Sequence, residues 1–336
     1  MVLKTPDIVP ALLNPVIYPS KSTEVKLIQT QMSWLFLTNR YVYKVKKPIN
    51  LGYLDYTTLE SRHYFCRQEI KLNRRLCPNV YLGVLPITSS SGTISIGGHG
   101  RVIDYMVKMR RLPEDRMMNV MLLKGQVRPK TMAEVANVLA DFHHRTVTNS
   151  AINIFGTVET ITKNAQENFE QTKPYIGVTI PKNRYQLIKN FTENFIQQKQ
   201  IVFEQRISSG RIKDCHGDLH AAHICLTTDI CIYDCIEFNK RFRYGDVAAE
   251  VAFLAMDLDH FGFPNLSRSF VEAYIESSED PEILTVLDFY KCYRAYVRGK
   301  VESFKLNSIG FTENDKNKAR VVSENYFALA EKYARQ

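Results

Sequence analysis

The stretch that constrains this chain most runs from residue 215 to residue 247, CHGDLHAAHICLTTDICIYDCIEFNKRFRYGDV. It gathers His216, His220 and His223, four cysteines, and the acids Asp218, Asp229, Asp234, Glu237 and Asp246. A His-Gly-Asp turn is followed by two β-type segments, HICL and ICIYDCI, joined by Thr-Thr-Asp. The second segment carries Asp234 and then Glu237, so the hairpin brings a second carboxylate back towards the first. Paired acids delivered in this way are a common means of assembling a metal and phosphate site.

Composition sets the context for that stretch. With 336 residues, 45% hydrophobic and 24% charged, the chain is long enough for two sub-domains of ordinary core size. No apolar run approaches the roughly 18 residues of a membrane span. The opening MVLKTPDIVPALL has one Lys and no small-residue cleavage site after its apolar run, so no secretory signal is expected. The seven cysteines are odd in number and lie mostly in apolar segments. They read as reduced, buried thiols of a cytoplasmic protein rather than a disulfide framework. Neither a C-x2-C pair nor HExxH occurs, so a zinc reading of the His- and Cys-rich stretch is set aside. The formal charge of +9 favours an anionic partner, whether nucleotide, acidic metabolite or nucleic acid. There is no aromatic-interleaved RNA motif to favour nucleic acid.

Residues 7 to 13 are compatible with a short helix ended by Asn14-Pro15. EVKLIQTQMSWLFLTN and RYVYKVKKPI read as antiparallel strands that turn at Thr38-Asn39-Arg40. Alternation puts Tyr41, Tyr43 and Val45 on one face of the second strand, and Val42, Lys44 and Lys46 on the other. Two lysines on one strand face suit either solvent or an anion. A helix is predicted from Thr57 or Thr58 to about Leu76, stopped by Cys77-Pro78-Asn79. Phe65, Leu72 and Leu76 share a stripe of it that also holds Glu69. That acid either reaches solvent at the edge of the stripe or needs a cationic partner, because an unpaired buried carboxylate is costly.

VYLGVLPITSS and GTISIGGHGRVIDYMVKMRRL read as further strands, with turns at Ser-Ser-Ser-Gly and Gly-Gly-His-Gly. From Pro113 onward helices dominate: near 114–124, 131–147, within 158–207, and over 247–262, 281–305 and 312–334. The only strands read after Leu112 are the two of the opening stretch. The boundary between a β-rich half and a helical half is therefore placed at Leu112-Pro113. Within 281–305, Arg294 shares a stripe with Leu287, Tyr290, Val297 and Val301, and Arg298 lies one turn further on. Pairing with an acid is the expected role of Arg294, and contact with an anionic substrate is the alternative.

A strand lysine, a helix acid, a His-x-Asp loop and a hairpin Asp together are what phosphoryl transfer from a nucleotide requires. HGDLHAAHICL, IYDCIEF and RYGDVAAEVAFL resemble the aminoglycoside phosphotransferase-like branch of the protein-kinase-like fold. VYKVKKP, EIKLNRRL, YLGVLPI and VKMRRLPEDRMM are similar to a bacterial subfamily of that branch, some of whose members are fused to a P-loop kinase domain. The resemblance covers nearly the whole chain. No GxxxxGK[ST] stretch is present, so no such fused domain is expected here.

The resemblance implies an α+β, two-lobed fold, with a β-rich nucleotide-binding lobe over 1–112 and a helical lobe over 113–336 bearing the catalytic loop and substrate site. It implies a cytoplasmic phosphotransferase that moves the γ-phosphoryl of ATP or GTP, with Mg2+, to a hydroxyl of a small molecule. By position, Asp218 is the catalytic-loop aspartate and Asp234 the magnesium-binding one, with Glu237 adding a metal or substrate contact. Lys44 is the phosphate-gripping lysine and Glu69 its helix partner. Lys46, of the same strand parity, is a standing alternative. Met109, Arg110, Arg111 and Leu112 form the hinge along the adenine.

The chain departs from the family pattern in two places. The asparagine expected five positions after the catalytic aspartate, as second metal ligand, is His223 here. Imidazole binds divalent cations, but magnesium prefers oxygen, so weaker magnesium binding, a preference for Mn2+ or another transition metal, or loss of catalysis would follow. No glycine-rich phosphate loop precedes Val42, where Thr38-Asn39-Arg40 is the only turn read. These departures keep a non-catalytic nucleotide-binding protein as an alternative, and the charge keeps a basic nucleic-acid-binding protein as another. The acceptor is not readable, although a net basic chain argues against a cationic drug.

Overall fold

The computed structural model describes residues 8–307 and 311–336. The first seven residues, where the opening helix is expected to begin, lie outside them. In chain order the first part gives α1 (Ile8–Leu12), β1 (Lys26–Gln29), β2 (Ser33–Leu37), β3 (Tyr41–Lys46), α2 (Leu59–Asn73), β4 (Tyr81–Ser90), β5 (Thr93–Ile96) and β6 (Arg101–Arg110). There follow α3 (Met118–Leu123), α4 (Pro129–Arg145), α5 (Ser150–Asn153), α6 (Val158–Thr172), α7 (Lys182–Gln198) and α8 (Gln200–Ser208). The chain then forms β7 (Ile212–Asp214), β8 (Ile224–Leu226), β9 (Ile230–Ile232), α9 (Lys240–Arg243) and β10 (Tyr244–Asp246). It closes with α10 (Val247–His260), α11 (Pro264–Ser278), α12 (Leu284–Phe304) and α13 (Glu313–Ala334).

These elements divide into two compact units. The first takes the chain up to Met117 together with His223–Lys240, and the second takes Met118–Ala222 with Arg241–Gln336. The sequence places a boundary at Leu112-Pro113 and the hairpin in the second half. In the structure the division falls after Met117, and the β8–β9 hairpin packs within the first unit.

The first unit is built on an antiparallel sheet in the order β1-β2-β3-β6-β4-β5. Period-2 alternation decides its two faces. One side buries Tyr43 and Val45 of β3 with Phe36, Ile87 and Met106, against Ile8 and Leu12 of α1. Each such large side chain contributes about 1.5–3 kcal/mol by leaving water. The other side receives α2, whose Cys66 and Ile70 pack with Cys77, Val80, Tyr81, Val107 and Met109 and with Cys225 and Cys231 of the hairpin.

Helix α2 starts where Thr58 accepts a hydrogen bond from the Ser61 N–H. Its orientation is held by a buried pair, Arg62 Nε to Asp104 Oδ1 of β6 at 2.8 Å. The segment that reads as one strand over 24–39 is in fact two, β1 and β2, separated at residues 30–32 by a turn in which Thr30 N–H meets Ser33 O at 2.9 Å. Thr38-Asn39-Arg40 is therefore not the only turn before β3. The turn was hidden because Thr30-Gln31-Met32 contains none of the Gly, Pro, Asn or Asp that usually mark one.

The cysteines need one correction. Cys77, just beyond α2, is disulfide-bonded to Cys231 of β9 across 154 positions of sequence, while Cys66, Cys215, Cys225, Cys235 and Cys292 are unbridged and buried. Spacing along the chain carries no information about a pairing brought about by packing at that separation.

In the second unit α10 is buried along nearly its whole length, from Val247 through Leu258. Helices α11, α12 and α13 each pack with it, α12 packs along α13, and α11 packs along α4. Two short strands absent from the sequence reading, β7 and β10, pair antiparallel, Ile212 with Asp246 and Asp214 with Tyr244, and frame the start of the His-Gly-Asp loop. At three residues each they are too short to leave a periodic signature. Helix α11 was likewise unread. No helix among the described residues is long and apolar enough to cross a membrane.

Candidate active site

In the first unit, strand parity turns Lys44 and Lys46 to the side covered by α2, where Glu69 is waiting. Lys46 Nζ donates to Glu69 Oε2 at 2.7 Å and also to Glu237 Oε1. Lys44 Nζ donates to Asp234 Oδ1 at 2.8 Å and lies 2.9 Å from Glu69 Oε1, a charge contact without hydrogen-bond alignment. One helix carboxylate thus serves both lysines, and each lysine has a second carboxylate from the hairpin. Glu69 is 1% exposed, so it does not reach solvent at the edge of its stripe.

The two lysines differ in what surrounds them. Lys46 is 1% exposed and sits 5.0 Å from the centre of the Tyr56 ring, whose hydroxyl donates to Glu237 Oε1 at 2.7 Å. The Lys44 side chain keeps 14% exposure, and its partner Asp234 keeps 41%. Burial opposes the charged form of both amines, but Asp234, Glu69 and Glu237 around them hold both pKa values well above the ordinary lysine range. Burial would also raise Glu69, and Lys44 and Lys46 more than reverse it, so the carboxyl is held below its usual value.

Asp234 adopts a left-handed backbone, φ 63°, a conformation in which Asp is among the few side chains tolerated. Two contacts fix it there. Its own N–H donates to Tyr81 Oη at 3.1 Å, and the next N–H, of Cys235, donates to Asn73 Oδ1 at 2.8 Å. Asn73 lies one turn after Glu69 and returns a bond from Nδ2 to the Glu69 carbonyl at 2.8 Å. The end of α2 therefore orients both acids that flank Lys44. His223 Nε2 stands 3.6 Å from Asp234 Oδ2, on the oxygen that Lys44 does not take.

The hinge residues have separate fates. Met109 is buried in the cluster beneath α2, and Leu112 packs against it. Arg110 Nε donates to Asn79 O at 3.0 Å, and Arg111 pairs with Glu114 at 2.9 Å on the surface.

In the second unit the His-Gly-Asp loop is held from below. Glu250 of α10 accepts the N–H groups of His216, at 2.8 Å, and Gly217, at 2.7 Å. Burial would push this carboxyl up, but the hydrogen bond and charge of His143, then His216 and the Gly217 N–H, pull it down to about 2. His143 Nε2 lies 2.8 Å from Glu250 Oε2, and its Nδ1 lies 2.8 Å from Tyr274 Oη. Asp257, two turns along α10, accepts the Ala221 N–H at 2.8 Å at the far end of the loop.

Between these two anchors, Asp218 stays part-exposed, with Oδ2 3.7 Å from His220 Nε2. Its N–H points to His216 Nδ1 at 3.3 Å, so the fully buried His216 ring serves the loop backbone. Asp246 caps α10 through the Ala248 N–H and pairs with buried Arg206 at 2.7 Å.

Sequence reading missed Glu250, His143, Tyr274, Asn73, Tyr56 and Tyr81. Glu250 was open to the reasoning used for Glu69, being a lone acid in the apolar run VAAEVAFLAM. The others carry no local signal. A cavity of about 210 Å3 lined by Val158, Phe169 and Ile196 contains none of the groups above.

No family model matches the chain. Uncharacterized proteins of Mycobacterium tuberculosis and Mycobacterium bovis are 31% identical to it over 280 residues, 83% of this chain and 55% of theirs. The chain thus spans about half the length of the curated relatives it matches. Among solved structures, a choline/ethanolamine kinase family protein from Mesorhizobium loti aligns with a TM-score of 0.52 at 11% identity, covering 97% of this chain and 99% of that one. A Plasmodium vivax ethanolamine kinase aligns at 0.50 and 10% identity, covering 93% of this chain and 81% of that one. At such identities the likeness establishes fold alone.

Proposed function

We propose that the chain, which shares its fold with the choline/ethanolamine kinase structures it aligns with, is a small-molecule kinase of the aminoglycoside phosphotransferase-like branch. ATP or GTP is the donor, and the γ-phosphoryl passes to a hydroxyl of the acceptor. The observation that carries this reading is Lys44 held between Glu69 and Asp234. A charged amine fixed by a buried helix acid and partly open to solvent is what gripping nucleotide phosphates requires. Lys46 is assigned the structural task of neutralising Glu69 and Glu237 inside the unit, and Glu237 the task of holding Lys46.

Asp218 is assigned to the acceptor. A carboxylate on a loop pinned at both ends orients the attacking hydroxyl and takes its proton as the phosphoryl bond forms. Asp234 and His223 are the side chains that would hold a divalent cation, since Asp234 Oδ2 and His223 Nε2 face each other at 3.6 Å. Such an ion, when bound, neutralises charge on the phosphates. One oxygen and one imidazole donor fit manganese or another transition metal more readily than magnesium.

The same imidazole supports a second reading, a nucleotide-binding protein without turnover. Thermal-shift titrations of ATP and GTP with Mg2+, Mn2+ or no metal, followed by a phosphoryl-transfer screen, separate the two. Transfer that is lost in Asp218→Asn while nucleotide binding persists supports the kinase. Turnover that survives Asp218→Asn sinks it, and metal-dependent binding without any turnover favours the second reading.

A further inference from the structure

Around Asp218 the second unit carries two guanidinium groups that the fold does not pair with acids. Arg294 and Arg298 lie one turn apart on α12. Among the described residues neither forms a salt bridge, so the expected ion pair of Arg294 is absent. Arg294 instead donates to two main-chain carbonyls, Ala249 O at 3.0 Å and Gly217 O at 3.3 Å, with its guanidinium 4.7 Å from the centre of the Phe253 ring. Gly217 is the residue immediately before Asp218, so this arginine touches the loop that carries the acceptor-activating acid.

Arg298 lies 5.5 Å from the centre of the Tyr326 ring, and its Nε is buried without a hydrogen-bond partner. Burial alone would lower its pKa, and Tyr326, Asp218 and Asp257 together raise it, which places it in the same electrostatic neighbourhood as Asp218. The acids there are already engaged. Asp257 accepts from the Ala221 N–H at 2.8 Å and from the Tyr326 hydroxyl at 3.3 Å, and Asp218 stands 3.7 Å from His220. A guanidinium presents a planar fork of donors suited to a carboxylate or phosphate, and leaving such a donor buried and unmatched is costly unless a ligand supplies the acceptor.

We propose that Arg298, with Arg294 beside it, recognises an anionic group on the acceptor, so that the substrate is a hydroxyl compound bearing a carboxylate or phosphate. The proposal rests on the kinase reading of Asp218 and names the substrate class of that site. It sets this chain apart from an enzyme for cationic alcohols, whose acceptor site would need acids or aromatic faces where these arginines stand. Arg298 is a specificity residue here, and Arg294 both positions the loop and adds positive charge.

The test uses the full chain with ATP or GTP, Mg2+ or Mn2+, and four matched probes: glycerate, glycerol 3-phosphate, glycerol and choline. Transfer to one of the two anionic probes is expected at a kcat/KM at least tenfold above that for glycerol or choline, and whichever is preferred identifies carboxylate or phosphate. Arg298→Gln is expected to raise KM for that probe about 10- to 100-fold and to collapse the preference over glycerol. Arg298→Lys, which keeps the charge but not the fork, should fall between them.

Should Arg298→Gln fail to fold, protection of the unaltered chain against thermal unfolding by glycerate or glycerol 3-phosphate, but not by choline, supports the proposal. Equal or better turnover of glycerol or choline overturns it, as does an unchanged preference in Arg298→Gln. Metal-dependent nucleotide binding with no response to either anion defeats this inference alone, whereas absence of nucleotide binding defeats the kinase reading beneath it.

Discussion

Lys44 and Lys46 share a strand face and a carboxylate, yet their surroundings assign them opposite consequences on removal. Replacing Lys46 by Met deletes a cation that is 1% exposed and bonded to both Glu69 and Glu237. Glu69 keeps Lys44, but Glu237 is left buried with only the Tyr56 hydroxyl on the oxygen that Lys46 had served. Breaking a buried pair from one side costs about 3–5 kcal/mol, which for a domain of this size lowers Tm by about 10 °C.

Replacing Lys44 by Met leaves Glu69 with Lys46, and leaves Asp234 with a side chain 41% exposed that water can solvate. That loss should stay near 1 kcal/mol. The functional costs are reversed. Lys44→Met should weaken binding of the metal–nucleotide complex by about 10- to 100-fold, the worth of one charge-assisted bond to phosphate. Lys46→Met, measured below its lowered Tm, should bind nucleotide within a few-fold of the unaltered chain. Thermal melts by circular dichroism paired with nucleotide titration calorimetry read both axes. If Lys46→Met melts with the parent, or if it loses nucleotide while Lys44→Met keeps it, the division of labour argued from exposure is wrong.

Three further outcomes follow from the same geometry. Glu250, held near 2 against an ordinary 4.5, contributes stability that is complete above about pH 4.5 and lost as the pH falls towards 2, an effect of about 3 kcal/mol. Denaturant midpoints measured between pH 2 and 6 should show that loss and should flatten in Glu250→Gln. At Asp234, whose φ is 63°, Gly should be more stable than Ala by about 1 kcal/mol although both remove the carboxylate, and equal melts would show that the left-handed backbone is not retained. Reducing Cys77–Cys231, which closes a loop of 154 residues, should lower stability by up to about 5 kcal/mol, checked by melts with and without a phosphine reductant, and Cys231→Ser should be insensitive to the reductant.

What the sequence disclosed and what it hid have physical reasons. Lys44, Lys46 and Glu69 were legible because each sits in a strong local period, and a charge on an apolar stripe must be answered somewhere. Asp218 and Asp234 were legible because the loop and hairpin are contiguous, so their spacing survives in the chain. Glu250 was open to the same argument, since a lone acid in a helix that is apolar on all sides must also be answered somewhere. The turn at residues 30–32, the β7–β10 pair and the disulfide were hidden for one reason. Each is settled by what the segment packs against, not by its own residues. Arg294 shows the limit most plainly: its place on a stripe implied a partner, and the partners proved to be main-chain carbonyls.

The order in which these residues are synthesised gives the inserted hairpin a further meaning. Residues up to Met117 leave the ribosome with the sheet and α2 complete, but the apolar layer formed by Cys66, Ile70, Cys77, Val80 and Met109 lacks Cys225 and Cys231, which arrive more than a hundred residues later. Until then the layer is open, with the charges of Lys44 and Lys46 answered only by Glu69. The nascent first unit therefore presents apolar surface that only the later hairpin covers, the condition under which a partly made chain is open to aggregation. A fragment ending at Met117 lacks part of its own apolar layer, and the unit holding the proposed nucleotide contacts is complete only once His223–Lys240 has been made.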